Sequence, residues 1–294
     1  TQGVSSAASD VYKRQLFEEV IMFSKFKLND IVYSDFKEYE SLGKEYYAKI
    51  QTDIQSSLKE FIGIDGVIDG TKLQESWFPT KQKFSVFLSH SHADEKVAVS
   101  IAGFLKKELN LNTFIDSCLW GYSNDLLREI DEKYCRHSNG TSFDYDKRNY
   151  STSHVHMMLS IALSRMIDKC ESVFFLNSEN SISIAEEISK ERTASPWIYN
   201  ELSLADMIKI RPINCYRDEF LQFSHRAYDA VNESSSLQIK YEVDKILRSF
   251  ISLSKYDLIS CAKEWRANNK SFQSALDYIY LSKDIIIKQD VLIS

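Results

Sequence analysis

Phe84-Ser85-Val86-Phe87-Leu88-Ser89-His90-Ser91 is the stretch on which the fold of this chain turns. Its aromatic and β-branched half predicts a short strand. The three polar residues after it predict a loop, and Val97, Ile101, Leu105 and Leu109 then fall on one face of a helix. Further along, Thr113-Phe114-Ile115, ending in Asp116, predicts a second strand, and residues 125–134 a second helix. Residues 136–153 are polar and aperiodic, the pattern of a long surface loop. Residues 154–168 return to helical spacing and run into Ser172-Val173-Phe174-Phe175-Leu176, a strand apolar enough to be buried on both faces. A further helix starts at Ser195-Pro196, and Ile213-Asn-Cys-Tyr216 predicts another short strand. Residues 237–243 alternate apolar and polar as an edge strand does. Strands alternating with helices imply a parallel sheet between helical layers, joined by right-handed crossovers.

The flanks read as helical. Phe36, Tyr39, Leu42, Tyr46, Ile50, Ile54, Leu58 and Phe61 recur every three or four residues, with no proline among them, which predicts an amphipathic helix or helix pair used as core or dimer surface. A turn-rich stretch over residues 63–79 separates it from the first strand. Beyond Asp244, Ile246, Leu247, Phe250, Ile251 and Leu253, then Leu258, Ala262 and Trp265, then residues 275–281 predict a helical extension. The expected organisation is therefore an N-terminal helical region over 16–80, an α/β domain over 81–245 and a C-terminal helical extension over 246–294. Residues 1–15 are small and polar, lack the features of a signal peptide, and resemble translated adapter sequence ahead of a truncated start, so they stand as a non-native leader.

Composition narrows the function class. The 294-residue chain carries a net charge of −6 and gathers no run of Lys or Arg, so no nucleic-acid partner is expected. Cys118, Cys135, Cys170, Cys215 and Cys261 are odd in number and form no CxxC pair, the usage of reduced cytosolic thiols rather than a disulfide framework. Apolar runs fall far short of the ~20 residues that span a bilayer. A soluble, cytoplasmic protein with no membrane partner is expected.

Ligands of open parallel sheets bind beyond the carboxyl ends of the strands, near the point where strand order reverses. That rule selects Ser89, His90 and Ser91 after the first strand, Asp116 after the second, and Asn177 and Ser178 after the third. No GxGxxG or P-loop follows any strand, so a nucleotide here is not held in the Rossmann or Walker manner. A second constellation is Ser195-Pro196-Trp197-Ile198-Tyr199-Asn200-Glu201. Ser is a good N-cap and Pro suits the first helical position, while Trp197 and Glu201 stand one turn apart on one face. An indole beside the carboxylate desolvates it in part and strengthens its hold on a nearby cation. The plainer alternative is an amphipathic helix start with Trp197 half-buried and Glu201 solvated.

Taken together, Phe84 to Ser91, Phe114-Ile115-Asp116, Glu171 to Asn177 and Ser195 to Glu201 fall in the order and approximate spacing of a bacterial TIR (Toll/interleukin-1 receptor) domain, over about 160 residues. The resemblance is strongest to TIR proteins of the antiphage-defence type. It implies a flavodoxin-like parallel sheet and cleavage of NAD+ by Glu201, with Ser89, His90, Ser91, Asp116, Trp120 and Trp197 lining the substrate site. Asp116 and Trp120 would open the BB-type loop, although an insertion between residues 119 and 153 departs from the compact family pattern. No metal and no cofactor beyond NAD+ as substrate is expected; the amphipathic stripes of residues 16–80 and 246–294 predict a homo-oligomer on activation, and a downstream effector protein that senses the product is expected.

A lone carboxylate suits that chemistry. Hydrolysis of an O-glycoside needs a second group to protonate a poor leaving group. Nicotinamide is already cationic on NAD+ and departs neutral, so one anion beside the developing positive charge supplies the main electrostatic term. Capture by water gives ADP-ribose and capture within the molecule gives a cyclic product; both stay open. Two rival readings stand beside this one. His90-Ser-His92-Ala-Asp94-Glu95 approaches a metallohydrolase HxHxDH signature but lacks its last histidine, and His154 and His156 sit at i,i+2 on a helix, where side chains diverge. The other rival is a TIR module that assembles without turnover, since fold does not dictate function.

Overall fold

The computed structural model describes residues 24–52, 58–62, 68–77, 83–115, 117–138, 140–185, 190–208, 241–268, 272 and 274–285. The strands are β1 (Ser24–Leu28), β2 (Val86–Ser89), β3 (Thr113–Ile115), β4 (Ser172–Leu176), β5 (Ser183–Ala185), β6 (Lys190–Thr193), β7 (Tyr241–Glu242) and β8 (Ile251–Leu253). The α-helices are α1 (Tyr33–Phe36), α2 (Glu40–Thr52), α3 (Gly70–Trp77), α4 (Glu95–Leu109), α5 (Ser117–Ile130), α6 (Tyr145–Lys169), α7 (Pro196–Met207), α8 (Asp244–Leu247), α9 (Lys255–Asn268) and α10 (Leu276–Ser282). Five strands form a parallel sheet in the order β3-β2-β4-β1-β8, and β5-β6-β7 form a small antiparallel one.

The α/β sheet expected around residues 84–176 is present, with β4 buried at every position. Its strand order departs from the flavodoxin order 2-1-3-4-5. The trio β3-β2-β4 holds the first three places, but the fourth belongs to β1, a segment expected to be helical, and the edge belongs to β8, also expected in a helix. The sheet thus takes two strands from outside residues 81–245. The reason lies in Ser24-Lys-Phe-Lys-Leu28: Phe26 and Leu28 are fully buried while Lys25 and Lys27 alternate with them, so a central strand carries the charge of a surface one. Burial on both faces normally makes such a strand continuously apolar.

Residues in register on parallel strands share a sheet face. Phe26 pairs with Phe174, and on that face Phe26 stacks on the fully buried Tyr280 of α10, with ring centroids 6.2 Å apart. The Tyr280 hydroxyl donates to Glu171 Oε1 at 2.9 Å, just before β4. The C-terminal helices are therefore part of the core. On the opposite face, Ser89 pairs with Phe175 and Phe175 with Lys27, and α7 lies over this row. Helices α2 and α4 meet at glycines: a Cβ on Gly103 would stand 2.2 Å from the Tyr39 carbonyl oxygen and 2.8 Å from Gly43 N.

Residues 136–153 are not one long loop. Asp144 caps α6 by accepting from Lys147 N at 3.0 Å, and the helix begins at Tyr145. Its first turns are tied to the π-helical turn Asp131–Cys135 that succeeds α5: Arg148 Nε and Ser151 Oγ donate to the buried Asp131 at 2.8 and 2.5 Å. A polar segment is helical here because its polar groups find partners on the preceding helix. Within the stretch read as turn-rich, Gly70–Trp77 is helical. The expected strand at 213–216, the leader at 1–15 and most of the 237–243 strand lie outside the described residues. The described part of the last, β7, pairs antiparallel with β6 instead of edging the parallel sheet. Among the described residues no helix is long and apolar enough to cross a membrane.

Candidate functional site

Strand order reverses at β2, whose chain continuation β3 lies on one side while β4, the next strand of the sheet, lies on the other. The carboxyl ends of β2 and β4 flank the switch point, and the predicted polar residues stand there. Ser89 closes β2 and is fully buried, His90 is 3% exposed, and Ser91 is half-buried. Beside them, Asn177 and Ser178 leave β4, both half-buried. Asp94, at the start of α4, is buried and bridges the two edges, accepting from Ser178 Oγ at 2.5 Å and Asn180 Nδ2 at 2.8 Å. Its role is to tie together the loops after β2 and β4, while His92 beside it is exposed.

Helix α7 brings the second constellation to this edge. Ser195 caps it, accepting from Ile198 N at 3.2 Å, with Pro196 in the first turn. Its buried stripe is Ile198, Glu201, Leu202 and Ala205, a spacing that puts a carboxylate where an apolar side chain would be expected. Glu201 is 1% exposed, so the alternative of a solvated glutamate does not hold. Ser89 Oγ donates to Glu201 Oε2 at 2.6 Å, a short charge-assisted hydrogen bond when the acid is ionised. A buried carboxylate without such a donor is costly.

Trp197 is half-buried one turn before Glu201, and its indole meets the His156 ring of α6 edge-on, centroids 5.3 Å apart at 85°. Burial alone pushes the His156 imidazole below its ordinary value, so the ring is biased toward the neutral form. His154 points elsewhere, its ring 4.5 Å from that of Tyr150. The divergence expected of i,i+2 histidines is observed. A second α6 to α7 contact, Ser160 Oγ to Asn200 Oδ1 at 3.5 Å, sits beside Glu201 in sequence.

Ser89, Glu201 and Trp197 are thus gathered at one end of the sheet, with His90 and Ser91 in the chain that leaves β2. Asp116 lies outside the described residues, and Trp120 falls within α5, on a helix that starts at Ser117, directly after that position, where a BB-type loop was expected. Sequence reasoning missed Lys27, which shares a sheet row with Ser89 through Phe175 and reaches Glu191 Oε1 of β6 at 3.2 Å. The available signal was the period-2 alternation of residues 24–28. Comparisons of the chain with family models, with curated proteins and with solved structures find no match.

Proposed function

We propose that the protein is a TIR-like NAD+ glycohydrolase or cyclase that releases nicotinamide and forms ADP-ribose or a cyclic ADP-ribose-type signal, acting in antiphage-defence signalling. The observation that carries the reading is the buried Ser89 to Glu201 hydrogen bond at the carboxyl edge of β2. It sets an oriented carboxylate at the switch point of a parallel sheet, where substrates of such folds bind.

In this reading Glu201 stabilises the oxocarbenium-like ribose as nicotinamide leaves neutral, and no acid is needed for departure. Ser89 fixes the carboxylate rotamer. Trp197, braced by His156, forms one wall of the nicotinamide riboside site, and His90 and Ser91 stand at its rim. Asp116 and Trp120 complete the proposed site through the resemblance alone. The TIR likeness rests on β2, β3, β4 and α7; the strand from residues 24–28 would then be this chain's own substitute for the fourth strand. The proposal carries with it a cytoplasmic setting, assembly into a homo-oligomer on activation and a downstream effector that senses the product.

Incubating the purified chain with NAD+ and resolving nicotinamide, ADP-ribose and cyclic products by chromatography tests it. Release of nicotinamide that disappears in Glu201→Gln is the expected result. Unchanged NAD+ at high protein concentration, with the chain assembled, would favour the non-enzymatic module.

A further inference from the structure

The parallel sheet carries two lysines on an interior strand, and the two are employed differently. Lys25 Nζ is 2.9 Å from Asp206 Oδ1 at the end of α7, below the site. Lys27 stands one row nearer the carboxyl edge, in register with Phe175 and, through it, with Ser89. Two strand spacings, about 10 Å, separate Lys27 from Ser89 along that row. Above Lys27 the row is polar and half-buried, with Asn177 Nδ2 donating to Asn29 Oδ1 at 2.8 Å. Lys27 is therefore a partly exposed cation in the same sheet row as the Glu201 partner, its side chain 19% exposed.

NAD+ carries a diphosphate, and the sequence places no lysine or arginine among residues 89–94 after β2 or residues 177–181 after β4. We propose that Lys27 is the diphosphate anchor of the substrate, held in the free protein by Glu191 and transferred to the phosphates on binding. The choice of ligand rests on the hydrolase reading above. Glu191 belongs to β6 of the small antiparallel sheet, and its own side chain is 24% exposed, so the pair lies where an incoming anion can compete for the ammonium group. Lysine serves phosphate as a compact point charge that needs no fixed planar geometry. Part of the binding free energy goes into displacing Glu191, which makes the two partners of one ion pair act in opposite directions on affinity.

That opposition separates an anchor from a structural bridge. Titration calorimetry of the full chain with ADP-ribose is the test, with melting temperatures recorded in parallel. Lys27→Gln is expected to weaken ADP-ribose about tenfold and to raise KM for NAD+ similarly, with a smaller effect on kcat. Glu191→Gln is expected to tighten ADP-ribose, and Lys27→Arg to stay within a few-fold of the unaltered chain. Equal affinities in all three variants, or losses of the same sign from Lys27→Gln and Glu191→Gln, overturn the anchor and leave a bridge that only fastens β6 to β1. Should Lys27→Gln fail to fold, Lys27→Arg and Glu191→Gln still decide, because only an anchor predicts tighter binding in the latter. Lys27-dependent binding of ADP-ribose with no NAD+ consumed would sink the hydrolase reading and keep the anchor. NAD+ consumption with a KM indifferent to Lys27→Gln would do the reverse.

Discussion

Ser89 Oγ lies 2.6 Å from Glu201 Oε2, joining the last residue of β2 to the second turn of α7 across 112 positions of chain. Both residues are buried, so the bond is a structural commitment of the fold, and in the proposed reading it also orients the carboxylate. Each gives the other a hydrogen-bond partner in the protein interior, where a lone polar group is costly.

Glu201→Gln keeps an acceptor for Ser89 and nearly the same shape. The variant is expected to melt close to the unaltered chain while nicotinamide release falls to background, read by chromatography alongside a thermal scan. Turnover that survives the substitution removes Glu201 from the mechanism.

Ser89→Ala takes the donor away and leaves the buried acid behind. A stability loss of about 1–3 kcal/mol in urea titration is expected, with turnover down roughly 10- to 100-fold because the carboxylate loses its orientation. In a double-mutant cycle with Glu201→Gln the two effects should be strongly non-additive; simple addition would mean that the two residues act independently.

His156 sets a pH dependence whose sign can be worked out. Burial lowers its folded-state value from 6.5, so above 6.5 both folded and unfolded chains hold a neutral ring and the contribution vanishes. Below 6.5 the unfolded chain takes up a proton that the folded ring refuses, and stability falls with pH until the folded value is passed. His156→Gln should flatten the slope of melting temperature between about pH 7 and pH 5 relative to the unaltered chain. An identical slope would assign the acid sensitivity to other groups.

A fragment of residues 81–245 should not fold, by circular dichroism or amide-proton dispersion, because it lacks β1 and β8 and leaves β4 unpaired on one side. In the full chain, Phe26→Ala is expected to cost about 3–5 kcal/mol in chemical denaturation, the cavity being lined by Phe174 and Tyr280. A cooperative 81–245 fragment would contradict the interleaved sheet.

Gly103→Ala drives a methyl group into the backbone of residues 39 and 43, with no flexible side chain to yield. A loss of about 1–3 kcal/mol or more is expected from denaturant titration. A neutral result would mean that α2 and α4 can separate at little cost.

Much of this was legible in the residues. Val86–Ser89, Thr113–Ile115 and Ser172–Leu176 announce themselves by aromatic and β-branched runs, and Ser195-Pro196 marks the start of α7 by cap chemistry. Ser89 comes from the switch-point rule; the spacing of Glu201 to Trp197 puts the two on one helix face, and the resemblance to a TIR domain singles Glu201 out. The strand of residues 24–28 escapes both signals, because two lysines interrupt the apolar run on which buried strands are recognised, and their partners Asp206 and Glu191 are more than 160 residues away. The strand of residues 251–253 is lost inside a helical pattern, since three residues carry too little periodicity to separate 2.0 from 3.6. The early start of α6 is hidden for a similar reason: Tyr145 to Ser153 is helical through Asp131, a partner no local window includes.

The position of β1 has a consequence for synthesis. A ribosome delivers residues 24–28 first, yet their hydrogen-bonding neighbours β4 and β8 emerge about 150 and 225 residues later. At roughly 5–20 residues per second the segment waits many seconds for the first and longer for the second. Contacts of such long range also close slowly. A nascent chain therefore cannot complete the sheet over which α7 holds Glu201 until residues 251–253 have been made, so the buried Ser89 to Glu201 pair is among the last features of the fold to be secured.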